Sequence, residues 1–191
     1  SIISRIEDEK TGQILLPELS IDISDEIQNE AQGIANVLGE KVWTDFPALD
    51  GVEPQNPGLS EIILSGNWRP SLSVTGVDGM PSLKDAGNVL RTHTSLKLSM
   101  RIPPGVDADS AQSAMAKVLE ADTPHGAHVS FSADAAANGF SAPPMDASFR
   151  DALNQASMAT FGNPMQVFFE GGTIPFLAMM QEKYPEADFL V

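Results

Sequence analysis

Apolar and polar positions change their period several times along the chain, and each change marks an element. From Ser24 to Leu38 the apolar residues Ile27, Ala31, Ile34 and Leu38 recur at helical spacing, with Ser24 placed to cap the start and Gly39 just past the end. This pattern predicts an amphipathic helix. Between Gly39 and Asn67 the period is lost in a stretch rich in Pro, Gly and Asp (FPALDGVEPQNPG), which reads as irregular connection with a short helix over Leu59 to Leu64. The spacing then falls to two. Leu72 and Val74 alternate with Ser71, Ser73 and Thr75, while Leu96, Leu98, Met100 and Ile102 alternate with Ser95, Lys97, Ser99 and Arg101, which predicts two half-buried strands. After the PPG turn, Asp107 or Asp109 is placed to cap a helix with Ala111, Ala114, Met115, Val118 and Leu119 on one face. Val129 and Phe131, set against His128, Ser130 and Ser132, predict a third strand.

Strand, strand, helix and strand over residues 71–135, with the helix at 24–38, predict an α+β domain: an antiparallel sheet with helices on one face. The stretch AAANGFSAPP then reads as a linker. Beyond it the pattern predicts a helix from Asp146 to Phe161 with Phe149, Ala152, Leu153 and Ala156 inward, and a strand at Met165 to Phe169. A helix from Thr173 to about Lys183 and a strand at Asp188 to Val191 follow. Strand, helix and strand make a partial α/β (βαβ) segment, whose strands run parallel with a right-handed crossover. Parallel sheets are covered on both faces by helices, so this segment calls for a larger sheet than the chain supplies.

Composition narrows the function classes. The sequence has 191 residues, 42% of them hydrophobic, enough for a packed core. With 11 Lys and Arg against 26 Asp and Glu the net charge is −15, which opposes attraction to nucleic acid or to anionic membranes. No apolar run has the length of a membrane span, SIISRIEDEK is not a signal peptide, and the absence of Cys removes disulfides and thiolate metal sites. These features fit a soluble cytoplasmic protein. The first residue is Ser, as in a piece excised from something longer.

Candidate chemistry is sparse. In FFEGGTIPF, Phe168 to Phe176, an apolar run meets Glu170, two glycines and a hydroxyl; Gly171 and Gly172 allow close approach of backbone, and Thr173 with Pro175 reads as a helix start able to bind an anion. A strand-to-helix turn that binds nothing has the same pattern. His125 and His128 form an H-x-x-H pair, but in a turn and at a strand start, without the spacing of helical metal ligands; His93 lies at a strand entrance as a surface or pairing residue. No catalytic constellation can be assembled. Arg101, on the polar face of the cleanest strand, is suited to bidentate capture of a carboxylate or an oxyanion, although in so acidic a chain a surface carboxylate is its simpler partner.

The succession NWRPSLSVTGVDG, AGNVL, LKLSMRIPPG and EGGTIP resembles the zinc-dependent amidohydrolases and dipeptidases that include carnosinases, acetylornithine deacetylase, succinyl-diaminopimelate desuccinylase and glutamate carboxypeptidase. The carnosinase-like branch resembles it most. The resemblance implies a lid, or dimerisation, domain over about residues 1–137, and over 138–191 the return into an α/β catalytic domain. It further implies that Arg101 contacts the substrate's carboxylate end or reacting centre and that Asn88, in AGNVL, hydrogen-bonds substrate. Gly171, Gly172 and Thr173 match the corner that cradles a terminal carboxylate, with Thr where carnosinases have Ser.

The same resemblance implies two zinc ions in the parent enzyme and a short peptide or N-acyl amino acid as substrate. It also implies a homodimer through the lid. The family's H-x-D motif, separate Asp, Glu-Glu pair and further acid lie upstream of the lid, and its last His lies downstream. None has a counterpart in this sequence, so the fragment is expected to bind no zinc and to carry no catalytic residue. A reading from a different class is a standalone non-catalytic α+β dimerisation or ligand-binding module.

Overall fold

Helix boundaries follow the side chains able to cap them. The computed structural model describes residues 2–170 and 175–190. Its helices are α1 (Asp25–Leu38), α2 (Lys41–Thr44), α3 (Leu59–Asn67), α4 (Ala108–Glu120), α5 (Ala147–Phe161) and α6 (Pro175–Lys183); strands β1 (Ser71–Asp78) and β2 (Ser95–Arg101) lie between α3 and α4. At α1 the Ser24 hydroxyl accepts the Ile27 N–H at 3.4 Å, Asp25 and Glu26 occupy the first turn, and Gly39 ends the helix with φ +56°. Asp107 and Asp146 cap α4 and α5 in the same way.

Two apolar cores form among the described residues. In the first, Ile6, Ile14, Leu16 and Leu19 of the N-terminal segment meet Val106 and the α4 residues Ala111, Met115 and Leu119, with Leu72, Leu98 and Met100 packed against them from the sheet. The second lies between α1 and α3, where Ala31, Ile34, Ala35, Ile63 and Leu64 are buried. Side chains such as Ile34 and Leu64 contribute about 2 kcal/mol each by leaving water. Sequence period places α1 over the sheet, but α1 packs on α3. The reason is that Leu59, Ile63 and Leu64 of α3 offer the α1 stripe an apolar partner.

β1 and β2 form an antiparallel pair, as the α+β class requires. Leu72 faces Met100 and Val74 faces Leu98; the register then shifts between Val74 and Gly76, so that Val77 faces Leu96. Thr75 is the extra residue of this bulge. In an unbroken register Gly76 would oppose Leu96 and Val77 would turn to the polar face, so the bulge keeps the apolar stripe on one side. The stripe is covered only at one end: Leu72, Leu98 and Met100 are half-buried, whereas Val74 and Val77 are exposed.

Three expected strands do not form among the described residues. Residues 128–134 run beside α4 and β2 without a ladder. The Phe131 N–H donates to the Glu120 carboxylate at 2.7 Å in place of a strand carbonyl, and Lys97 pairs with Asp134 at 3.1 Å. Met165 to Phe169 is also unpaired: Met165 N–H donates to Asn154 Oδ1 at 3.0 Å, and Phe169 packs edge-on against Trp68, with ring centroids 5.7 Å apart. Residues 188–190 are unpaired as well, with Phe189 edge-on to Phe140. A parallel strand is held by neighbours on both sides and helices on both faces, and the described residues supply neither. For the same reason α5 buries no residue: Phe149 and Leu153 are half-buried, while Ala152 and Ala156, expected inward, are exposed.

Candidate functional site: a cleft beside the Arg101 turn

Arg101 is the last residue of β2, opposite Ser71, and its side chain is exposed. The chain then anchors itself. Ile102 packs against the first core, Pro103 is fully buried, and the Val106 N–H closes the turn on the Pro103 carbonyl at 3.3 Å. Pro104 forms an isolated parallel bridge with Gly139 of the linker. A rigid strand end followed by two prolines therefore fixes the backbone on which Arg101 stands.

Next to this turn opens a cleft of about 640 Å³, lined by Ile102, Pro104 and Phe140 on one side and by Trp68 and Phe168 to Glu170 on others. Trp68 and Phe169 form a T-shaped pair within its wall. The Trp68 indole N–H is buried with no hydrogen-bond partner among the described residues, which leaves a donor for a ligand or another protein segment to satisfy. The cation in the cleft is Arg150, whose Nη2 meets Glu30 Oε1 at 3.3 Å; Glu26 and Glu170 add negative charge. Neither Trp68 nor Arg150 belongs to a recognisable sequence motif beyond the position of Trp68 in NWRP, and periodicity gives no signal for either.

The predicted site residues are only partly brought together. Glu170, immediately before the glycine corner, shares the cleft with the turn that follows Arg101. Gly171, Gly172 and Thr173 lie outside the described residues. Asn88 is exposed in the loop 79–94, which joins the hairpin at the end opposite Arg101. Of the histidines, His93 Nε2 lies 3.5 Å from Asp78 Oδ2 across the base of that loop. His125 and His128 are exposed, and among the described residues no group of three or more His, Cys, Asp or Glu could hold a metal ion. The implied zinc thus finds no fitting donor set among them. Nor, among the described residues, is any helix long and apolar enough to cross a membrane.

A family profile described as the peptidase dimerisation domain matches residues 3–127. A cysteinylglycine-S-conjugate dipeptidase of Corynebacterium striatum is 25% identical over 145 residues, covering 76% of this chain and 32% of that protein. Among solved structures, human carnosine dipeptidase 1 is similar with TM-score 0.59 and 18% identity, over 95% of this chain and 38% of its own. The dipeptidase Dug1p of Saccharomyces cerevisiae gives 0.57 and 21% over 95% and 38%, and an M20 family metallo-carboxypeptidase of Sulfolobus solfataricus gives 0.63 and 16% over 98% and 47%. The chain spans about a third of the curated relative and less than half of the solved ones. With its match over residues 3–127 and its α+β fold, the chain belongs to the M20 peptidase dimerisation-domain family.

Proposed function

We propose that the chain is the lid (1–137) and part of the catalytic domain (138–191) of a cytoplasmic zinc-dependent dipeptidase or amidohydrolase that hydrolyses the amide bond of a short peptide or N-acyl amino acid. The observation that carries this reading is the family match over residues 3–127 followed, in order, by EGGTIP at 170–175, whose last residue opens α6. The dipeptidase names of the similar proteins support the substrate class. Two zinc ions would supply the hydrolytic chemistry from ligands elsewhere in the parent protein. The share of this chain is binding. Arg101 takes the carboxylate end or the developing oxyanion, Asn88 hydrogen-bonds substrate, and the Gly171, Gly172 and Thr173 corner cradles a terminal carboxylate.

A homodimer through the lid belongs to this reading, and the description of the matching family supports it. Ser95 to Arg101 spans six strand rises, roughly 20 Å, and the loop that carries Asn88 joins the hairpin at the end opposite Arg101. A dipeptide reaches only about 7 Å. A homodimer formed through the lid would let Arg101 of one copy and Asn88 of the other serve one small substrate.

In the full-length protein, Arg101→Ala is expected to remove on the order of 2–5 kcal/mol of transition-state binding. An unchanged kcat/KM sinks the assignment. Mixing inactive Arg101→Ala and Asn88→Ala proteins under subunit exchange is expected to restore activity, since one site of each heterodimer is then intact. The isolated 191-residue chain is expected neither to bind zinc tightly nor to hydrolyse dipeptides, and chelator-sensitive hydrolysis by it would refute the division of labour.

A further inference from the structure

We propose that Gly139 is a positioning residue: its backbone seats the turn at 102–105 and so sets where the Arg101 end of β2 stands beside the cleft. The proposal rests on the reading of Arg101 as a substrate-binding group. It begins with space. A Cβ built on Gly139 would lie 2.9 Å from both Cα and N of Pro104 and 3.2 Å from the Pro103 carbonyl carbon. These are backbone atoms of two consecutive prolines, not the end of a flexible side chain, so they cannot swing aside. The φ of Gly139 lies outside the left-handed region. Glycine is required there for close approach, not for its dihedral freedom.

The contact is held from several directions. Asn138, the preceding residue, accepts the Ala108 N–H on Oδ1 at 2.9 Å and so ties the linker to the start of α4. Phe140, the following residue, meets Phe189 edge-on with centroids 5.3 Å apart, tying it to the C-terminal segment. Pro103 is fully buried on the other side. Only Ile102 and Pro103 separate Arg101 from Pro104, and both Pro104 and Gly139 line the cleft that contains Glu170. The spacing between the Arg101 turn and the wall leading to the glycine corner is thus set at the Pro104–Gly139 bridge. A methyl group on Gly139 has to open that bridge by roughly 0.5–1 Å to reach ordinary van der Waals separation.

Displacements of this size at a clamp reduce turnover by about 10- to 100-fold. The test is a double-mutant cycle in the full-length protein, with Gly66→Ala as control, because a Cβ at Gly66 has nothing within 4 Å. Gly139→Ala is expected to lower kcat/KM by about 10- to 100-fold in the wild-type background and to have little further effect in Arg101→Ala, since it acts through that side chain. In the isolated chain it is expected to speed exchange of the Val106 amide, which closes the 102–105 turn, whereas Gly66→Ala leaves that exchange unchanged. If Gly139→Ala fails to fold, Pro104→Ala relaxes the same contact from the opposite side and is expected to show the same dependence on Arg101. No loss of activity in Arg101→Ala removes the clamp reading itself. A loss in Arg101→Ala combined with full activity in Gly139→Ala, or with equal Gly139→Ala losses in both backgrounds, overturns the positioning role alone.

Discussion

Arg5 is expected to be worth about 2–3 kcal/mol, because it closes the C-terminus of a helix more than a hundred residues away. From the turn Ile3–Arg5 its Nη1 donates to the Val118 carbonyl at 3.3 Å and also to the Ala121 carbonyl, while Nη2 donates to the Asp122 carbonyl at 2.6 Å. The last carbonyls of a helix have no partner within it, and a cation there also meets the negative end of the dipole. A charge-assisted bond to such a carbonyl contributes about 1.5–3 kcal/mol, and bonds sharing one guanidinium do not add, so the total stays near the upper end of a single bond. Arg5 also precedes Ile6, fully buried against α4, so the fork and the apolar contact dock the same turn. For a chain of this length 1 kcal/mol shifts Tm by about 2–4 °C, which puts Arg5→Ala roughly 5–10 °C below wild type in thermal unfolding followed by circular dichroism. Arg5→Lys keeps the charge but loses the planar fork, and is expected to recover less than half of the loss. An Arg5→Ala Tm within about 1 °C of wild type would show that solvent replaces the guanidinium without loss, and would refute the reasoning.

Two further outcomes follow from the fold. Deleting Thr75 removes the bulged residue while keeping Leu72, Val74 and Val77 opposite Met100, Leu98 and Leu96, so the deletion is expected to leave stability equal or higher; a marked fall in the urea midpoint would mean that the bulge itself is needed. Asp146, through the Ser148 hydroxyl and then the Phe149 and Ser148 N–H groups, and Asp107, through the Ser110 side chain and then its N–H, are held below the usual carboxylate range. Asp8 is held low first by the Thr11 N–H. Their folded values lie below the unfolded ones, so their stabilisation is full above the ordinary carboxylate pKa and is lost as pH falls through the folded values. Urea midpoints measured down the acid limb are expected to fall less steeply in Asp107→Asn and Asp146→Asn, and an unchanged slope would count against the caps.

What was legible in the sequence was what is local. α1, α4 and α5 begin at Ser24, Asp107 and Asp146, because cap and first turn sit within four residues of each other. The β1–β2 pair was legible because clean alternation on two nearby segments needs only one partner for each. Residues 128–134 and Met165 to Phe169 have the composition of strands, but strand formation requires hydrogen-bonding neighbours that no local pattern specifies; Glu120 and Asn154 satisfied backbone donors there. The candidate site divides in the same way. Arg101 could be placed at a strand end from its alternation, whereas Asn88, in AGNVL, was singled out by resemblance alone, with no period to place it. The cleft wall of Trp68, Phe140 and Phe169 comes from three separate regions, and its unpaired indole N–H exists only once they meet.

The C-terminal segment carries this locality to its consequence. Its helix α5 is well capped, by Asp146 at one end and by left-handed Gly162 at the other, yet it buries no residue. Met158, Phe161, Phe168, Phe176, Met179 and Leu190 all stay exposed. Local capping suffices to define a helix, but it contributes little of the free energy that holds a helix in place, which comes from apolar area removed from water. Met158, Phe161, Phe176 and Met179 stand exposed on α5 and α6, so burial of these side chains does little to hold either helix in place. Residues before the linker form both buried clusters, although Val74, Val77, Leu83 and Leu90 stay exposed there too; after the linker no described residue is buried. Among the described residues the packed cores are thus built by residues up to Leu119, and the segment after the linker rests on their edge through Phe169 without making a core of its own.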